Sequence, residues 1–180
     1  MFGTFGYFWP YHNLLGSALA SSAIVWLMWF WPRNVIQSYI DEALQTDLRD
    51  PMSHYVNADG GKSCFWVAVE KGVVVGTVAV EPKQGKKDAA ELRRMSVAAS
   101  HRRRGVSKLL YRELHKFAVD KGFERIVLST SSLQQAAVKI YDKFGFTCYK
   151  KDFVPFPWLP LVHIHFFAIP TNTTIKTKEH

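Results

Sequence analysis

The sequence predicts a mixed α+β domain: one central sheet flanked by helices, preceded by a hydrophobic membrane segment. Three observations predict it. Short runs such as CFWVAVE and VVVGTVAV are rich in β-branched and aromatic residues and are joined by a glycine turn. Two later segments repeat apolar residues every three or four positions, as amphipathic helices do. Further strand-like runs lie between and after those helices, so the elements alternate around a single sheet. A chain of 180 residues has the size of one domain. Its 48% hydrophobic and 21% charged content excludes wholesale disorder.

Charge is distributed unevenly. Residues 1–32 contain no Asp, Glu, Lys or Arg, so the whole net charge of +8 resides in the remainder. An isoelectric point near 9.5 points to an anionic partner: nucleic acid, a lipid headgroup or a phosphorylated small molecule. Cys64 and Cys148 are too few for a disulfide scaffold and lack zinc-ligand spacing.

The elements follow in order. Residues 1–33 form an apolar N-terminus, and Leu14 to Trp31 is an uncharged run of eighteen residues. That is close to the ~20 needed to cross a bilayer as a helix. Trp26, Trp29 and Trp31 crowd one end, where indole rings favour the membrane interface. A cleaved signal peptide would need a basic leader, which is absent, and a buried soluble helix is the other competitor. Arg33 and Arg49 both lie after the run, which places the following domain on the cytosolic side of a single-pass anchor.

Residues 34–170 form the main domain, and 171–180 a polar tail. Asn34 to Leu48 reads as an amphipathic helix, ended by Asp50-Pro51, and residues 57–62 as a turn. Strands are predicted over 64–70 and 73–80, forming a hairpin through Lys71-Gly72, and over 90–97. A helix over 106–121 has Val106, Leu109, Leu110, Leu114, Phe117 and Ala118 on one face and Gly122 as its stop. A strand over 126–129 follows. The next helix, 133–144, shows an apolar face of Leu133, Ala136, Ala137, Ile140, Tyr141 and Phe144, with Gly145 as its stop. Strands over 146–153 and 162–169 complete the domain.

The segment richest in chemistry is the strand–turn–helix around 90–121. After the strand ending at Val97, Arg102-Arg103-Arg104-Gly105-Val106-Ser107 opens the long helix. Backbone N–H groups at a helix start lack internal partners, and the macrodipole adds about half a positive charge there. Gly105 permits close approach to the backbone, Ser107 adds little bulk, and the arginines with Lys108 supply full charges. The arrangement suits pyrophosphate. Taken alone, the basic run reads first as a solvated surface.

Its context decides. Met95-Ser96-Val97 followed by Arg102–Ser107 resembles the acetyl-CoA-binding signature of the GNAT acyltransferase superfamily, Gln/Arg-x-x-Gly-x-Gly/Ala, with Ser107 at the last small position. The run Gln134 to Phe146 resembles a second signature, Asn-x-x-Ala-x-x-(aliphatic)-Tyr-x-x-x-Gly-Phe, with Gln134 in the Asn place. Residues 14–170 are similar to the camello-like, membrane-anchored branch, which includes cysteine-S-conjugate and aspartate N-acetyltransferases. In that branch the first strand and helix of the fold precede the membrane run, and the sheet here is expected to lack them. The resulting uncovered edge favours association, including with a second copy.

The resemblance implies acetyl-CoA as cosubstrate and no metal. It implies that the main chain of Met95, Ser96 and Val97 binds the pantetheine arm, with Arg102, Arg103, Arg104, Gly105, Val106, Ser107 and Gln134 completing the coenzyme site. It makes Tyr141 the candidate general acid and Glu91 the candidate base, although Tyr141 also fits a core position and Glu91 fits a salt bridge with Arg93 or Arg94. His115 reads as a surface residue. His163 and His165 share a strand face without a third metal ligand. Asn172-Thr173-Thr174 is a glycosylation sequon, usable only in a lumen.

The expected activity is acetyl transfer to an amine, either a cysteine S-conjugate-like small molecule or a protein lysine, on an intracellular membrane such as the endoplasmic reticulum. The alternative is a non-catalytic, membrane-anchored module that holds CoA or a protein. Nucleic acid is not expected as a partner, because no stacking aromatics interleave with Arg102–Arg104.

Overall fold

Lys71 and Gly72 both take left-handed backbone, with φ of 50° and 80°. This turn suits the right-handed twist of an antiparallel pair and folds β1 (Cys64–Glu70) onto β2 (Val73–Pro82). A computed structural model of the chain describes residues 17–22, 24–26, 37, 41–56, 59–153 and 162–173. Two units are distinguished, Met1–Arg49 and Asp50–His180.

In the first unit, 17–22, 24–26 and 41–45 are helical. Half of the predicted membrane run of 14–31 lies outside the described residues. Among those described, no helix is long and apolar enough to cross a membrane.

The second unit continues with β3 (Ala89–Val97), α1 (Val106–Asp120), β4 (Arg125–Ser131), α2 (Gln135–Phe144), β5 (Thr147–Phe153) and β6 (His163–Pro170). A short π-helical turn, Met52–Val56, and a 3₁₀ turn, Asp59–Gly61, precede β1. The 3₁₀ turn falls within the turn expected over 57–62, whereas the π-helical turn was not expected, because five residues are too short to show a period. The six strands stand in the order β1-β2-β3-β4-β6-β5. All neighbours are antiparallel except β3 and β4, which α1 joins as a crossover.

One face of the sheet packs against both helices. Val78, Val80, Ala90, Leu92, Ile126, Leu128, Phe167 and Ile169 meet Leu110, Tyr111, Leu114 and Ala118 of α1 and Tyr141 of α2. Each such large side chain contributes about 1.5–3 kcal/mol by leaving water. The other face holds Tyr55, fully buried, with its ring 5.4 Å from Phe65.

Both helices end as their glycines require. Gly122 and Gly145 are left-handed, and the following N–H groups of Phe123 and Phe146 reach back to the carbonyls of Ala118 and Tyr141, both at 3.0 Å. The helix faces need correction. Leu109 and Leu133 are 53% and 60% exposed, and Ala136 is exposed. Tyr111, outside the predicted face, is fully buried and stacks on Phe144 at 4.5 Å. Tyr111 keeps the helical spacing with Leu114 and Ala118, so the buried stripe is rotated from the predicted one toward Phe144 of α2.

Candidate active site

The only parallel pair in the described sheet is also its weak seam. β3 and β4 pair through Ala89–Arg125, Ala90–Ile126 and Glu91–Val127, and no further. Beyond that point β3 stays with β2 as far as Val97, and β4 stays with β6 as far as Ser131. Residues 92–97 and 128–131 therefore part, and their facing backbone groups have no partner strand. Backbone N–H and C=O groups need partners, so the seam is a slot for an extended polar ligand.

A bulge helps open it. Thr77 pairs with Ser96 and Ala79 with Arg93, which puts an extra residue on β3. Arg94 takes φ of 53°, and its carbonyl accepts a 2.9 Å hydrogen bond from the Thr77 hydroxyl. Bulges of this kind bend a strand and end its pairing.

The arginine loop lies at the carboxyl end of β3. Ala99–His101 is one 3₁₀ turn, Arg103 is left-handed at φ 61°, and Gly105 is left-handed at φ 83°. Gly105 is the N-cap of α1 and offers no side-chain cap, while its carbonyl accepts from Lys108 and Leu109 at 3.0 and 3.1 Å. The first N–H groups of the helix thus remain for a ligand. A Cβ placed on Gly105 would meet nothing within 4 Å. The loop is consequently open above this residue, as a cradle must be.

Close packing sets the position of α1. A Cβ on Gly76 of β2 would come within 2.9 Å of Val106 and 3.1 Å of Leu110. The missing side chain lets the first turn of α1 sit directly on the sheet. The loop is tied to the β1–β2 turn as well. Glu70 receives His101 Nε2 at 2.7 Å and Arg104 at 3.4 Å, and His101 Nδ1 meets the Ser100 hydroxyl at 2.8 Å. The His101 contact, aided by Arg104, holds the Glu70 carboxyl below its usual range. Arg102 Nε donates to the Val97 carbonyl at 3.3 Å. Arg102, Arg103 and Arg104 are all exposed.

Gln134 occupies the N-cap position of α2 at the carboxyl end of β4 without a side-chain cap, and its amide oxygen accepts from the Thr130 hydroxyl at 3.2 Å. Two helix starts therefore share the end of the sheet at which the slot opens. In ordinary open α/β sheets, ligands sit at this end of the strands.

Tyr141 and Glu91 approach the seam from opposite faces. Tyr141 packs on Phe146 and Phe167, at 5.7 and 6.0 Å between ring centroids. Phe167 pairs with Leu128, the first residue of β4 beyond the contact with β3. Burial pushes the Tyr141 hydroxyl up to about 12. Glu91 alternates with Ala90 and Leu92, which face the helices, so its carboxylate projects the other way. It is the last β3 residue paired to β4. Lys83 holds it at 2.6 Å, and Arg93 pairs instead with Glu81 at 2.5 Å.

Residues 22–146 match the sequence profile of the Acetyltransferase (GNAT) family. The chain belongs to the GNAT acetyltransferase family. This is an acyltransferase family whose cosubstrate is acetyl-CoA. The chain is 39% identical to human N-acetylaspartate synthetase over 134 residues, 74% of this chain and 43% of that protein. It is 38% identical to mouse N-acetyltransferase 8 over 154 residues, 83% of this chain and 66% of that protein. The chain thus spans less than half the length of the human relative. Among solved structures, a GCN5-related N-acetyltransferase from Kribbella flavida superposes with a TM-score of 0.58 at 27% identity, over 69% of this chain and 77% of that one. A putative streptothricin acetyltransferase from Bacillus anthracis, in complex with acetyl coenzyme A, shares the fold at 0.58 and 21% identity, over 66% of each chain. The camello-like resemblance read from the motifs agrees with these relatives.

The GNAT residues of this chain fit such a coenzyme. The slot takes an extended arm with amide groups, and the Gly105 cradle takes a diphosphate. Among the described residues no group of side chains could hold a metal ion. Four contributors escaped sequence reasoning: Gly76, Thr77, Glu70 and Lys83. Their partners lie from 8 to 34 positions away, and no local pattern links such pairs. His115 is corrected from surface to half-buried, with its Nε2 enclosed and without a partner, and burial lowers its pKa.

Proposed function

We propose that the chain transfers an acetyl group from acetyl-CoA to a primary amine. The observation that carries this reading is the parting of β3 and β4 beside the Gly105 cradle. Strand backbone, helix start and arginines there make one continuous polar path.

In this reading the N–H groups that open α1, with Arg102, Arg103 and Arg104, grip the diphosphate. The main chain of Met95, Ser96 and Val97 orients the pantetheine arm and carries the charge that grows on the thioester oxygen. One such donor is typically worth about 10²–10³ in rate. Glu91, paired with Lys83, accepts the amine proton directly or through water. The nitrogen–carbon bond forms as the carbon–sulfur bond breaks. Tyr141, protonated throughout the neutral range, donates its proton to the leaving sulfur.

The acceptor in this reading is a small amine, either an amino acid, as the name N-acetylaspartate synthetase suggests, or a cysteine S-conjugate, as the motif resemblance implies, or else a protein lysine. An intracellular membrane location, with the domain on the cytosolic side, rests on the uncharged run of 14–31 followed by Arg33 and Arg49.

Labelled acetyl-CoA with a panel of amines tests the activity, using wild type and Arg104→Glu. The variant sets a second carboxylate beside Glu70 and the diphosphate site. Its KM for acetyl-CoA is expected to rise tenfold or more. Coenzyme binding without transfer to any amine would favour a non-catalytic CoA-holding module. Absence of coenzyme binding overturns the reading.

A further inference from the structure

The sheet face opposite the helices carries a cleft that the coenzyme does not need. Its volume is about 870 Å³, and it is lined by Ser53, His54, Glu81 and residues 82–87 of the β2–β3 loop. We propose that this cleft receives a carboxylate of the acceptor, with Lys86 and Lys87 as its counter-charges, and so selects amines that bear one. The proposal rests on the acetyl-transfer reading and names its substrate class.

Charge accounting within the cleft supports it. Lys83 is answered by Glu91 at 2.6 Å. Glu81 is answered by Arg93 at 2.5 Å and faces His54 at 3.5 Å. Lys86 and Lys87 are exposed, and neither makes an ion pair among the described residues. The adjoining Asp88 is taken by Arg125 at 2.6 Å. Two cations without partners in one concavity raise the local concentration of anions.

The loop that presents them is held in shape. The Lys83 N–H donates to the Ala89 carbonyl at 2.8 Å, closing its base. The Lys86 N–H donates to the Lys83 carbonyl at 2.9 Å, and Gly85 supplies the left-handed residue between. Lysines on such a turn keep their positions better than on an open strand end.

Position gives the cleft its role. Lys83 lines it and also touches Glu91, the last residue before β3 and β4 part. An anion seated against Lys86 and Lys87 lies on the same sheet face as that carboxylate. An amine on the same small molecule is then directed toward Glu91 and the seam.

The test uses the full chain with Lys86→Glu and Lys87→Glu combined. The pair Lys86→Gln and Lys87→Gln serves as a second variant if charge reversal impairs folding. Glutarate, a dicarboxylate without an amine, is titrated by calorimetry. It is expected to bind wild type, more weakly as salt rises, and at least tenfold more weakly to either variant. In parallel, kcat/KM is measured for ω-amino carboxylates and for alkylamines of equal length. The ratio of the two is expected to fall tenfold or more in the variants, while coenzyme affinity separates the two readings. No glutarate binding to wild type, equal binding to the variants, or an unchanged ratio overturns the cleft assignment even if acetyl transfer is robust. Glutarate binding that depends on the lysines, in a chain that binds no acetyl-CoA, supports the anion cleft and overturns the transfer reading.

Discussion

Tyr141 shows how one side chain can serve packing and chemistry together. Its ring joins the core beside Phe146 and Phe167, yet its hydroxyl has no hydrogen-bond partner among the described residues and is not among the fully enclosed polar atoms. Burial raises its pKa to about 12, so the proton is retained at neutral pH and is lost only as the pH rises through that value. Tyr141→Phe keeps the ring and removes the proton. It is expected to lower kcat by about 10²–10⁴ with little change in the KM for acetyl-CoA. Steady-state kinetics with both substrates varied decides, and an unaltered kcat would take Tyr141 out of the mechanism. The motif placed this residue at a helix position that faces the core. That its ring packs on Phe167, 26 residues later, is invisible locally.

At the scale of elements, α1 is positioned by an absence. Gly76 has no side chain where Val106 and Leu110 press on the sheet, and the turn they belong to carries the cradle. Gly76→Ala puts a carbon 2.9 Å from Val106 and 3.2 Å from the Ser96 carbonyl. The backbone contact cannot yield as a side chain can. The expected cost is about 1–3 kcal/mol of stability, measured by denaturant unfolding, together with a raised KM for acetyl-CoA. Adding Val106→Ala removes the nearest contact and is expected to restore part of both. Equal unfolding midpoints for wild type and Gly76→Ala would refute this account. The sequence shows a glycine inside a strand, which marks a close approach. It does not show which helix makes that approach.

At the scale of the whole second unit, the sheet behaves as two antiparallel halves joined by three residue pairs. The halves part toward one end, so the coenzyme site is a missing stretch of sheet. Acetyl-CoA is expected to slow amide hydrogen exchange selectively in 92–97, 104–107 and 128–131, and to leave the Lys71-Gly72 turn unaffected. Uniform protection throughout the sheet, or none, would contradict a ligand seated in the seam. Such selectivity follows if the ligand supplies the bonds that the strands do not exchange with each other.

The order of elements, both glycine helix stops, the hairpin turn and the arginine loop were all readable in the chain itself. Each depends on neighbours within a few positions, through periodicity, backbone freedom or a helix start. The separation of β3 from β4, the Glu91–Lys83 pair, the Glu70 tie to His101 and Arg104, and the cleft beneath the β2–β3 loop were settled by tertiary structure alone. They join residues from different strands, and distance along the chain carries no record of strand register or of which face a side chain shares.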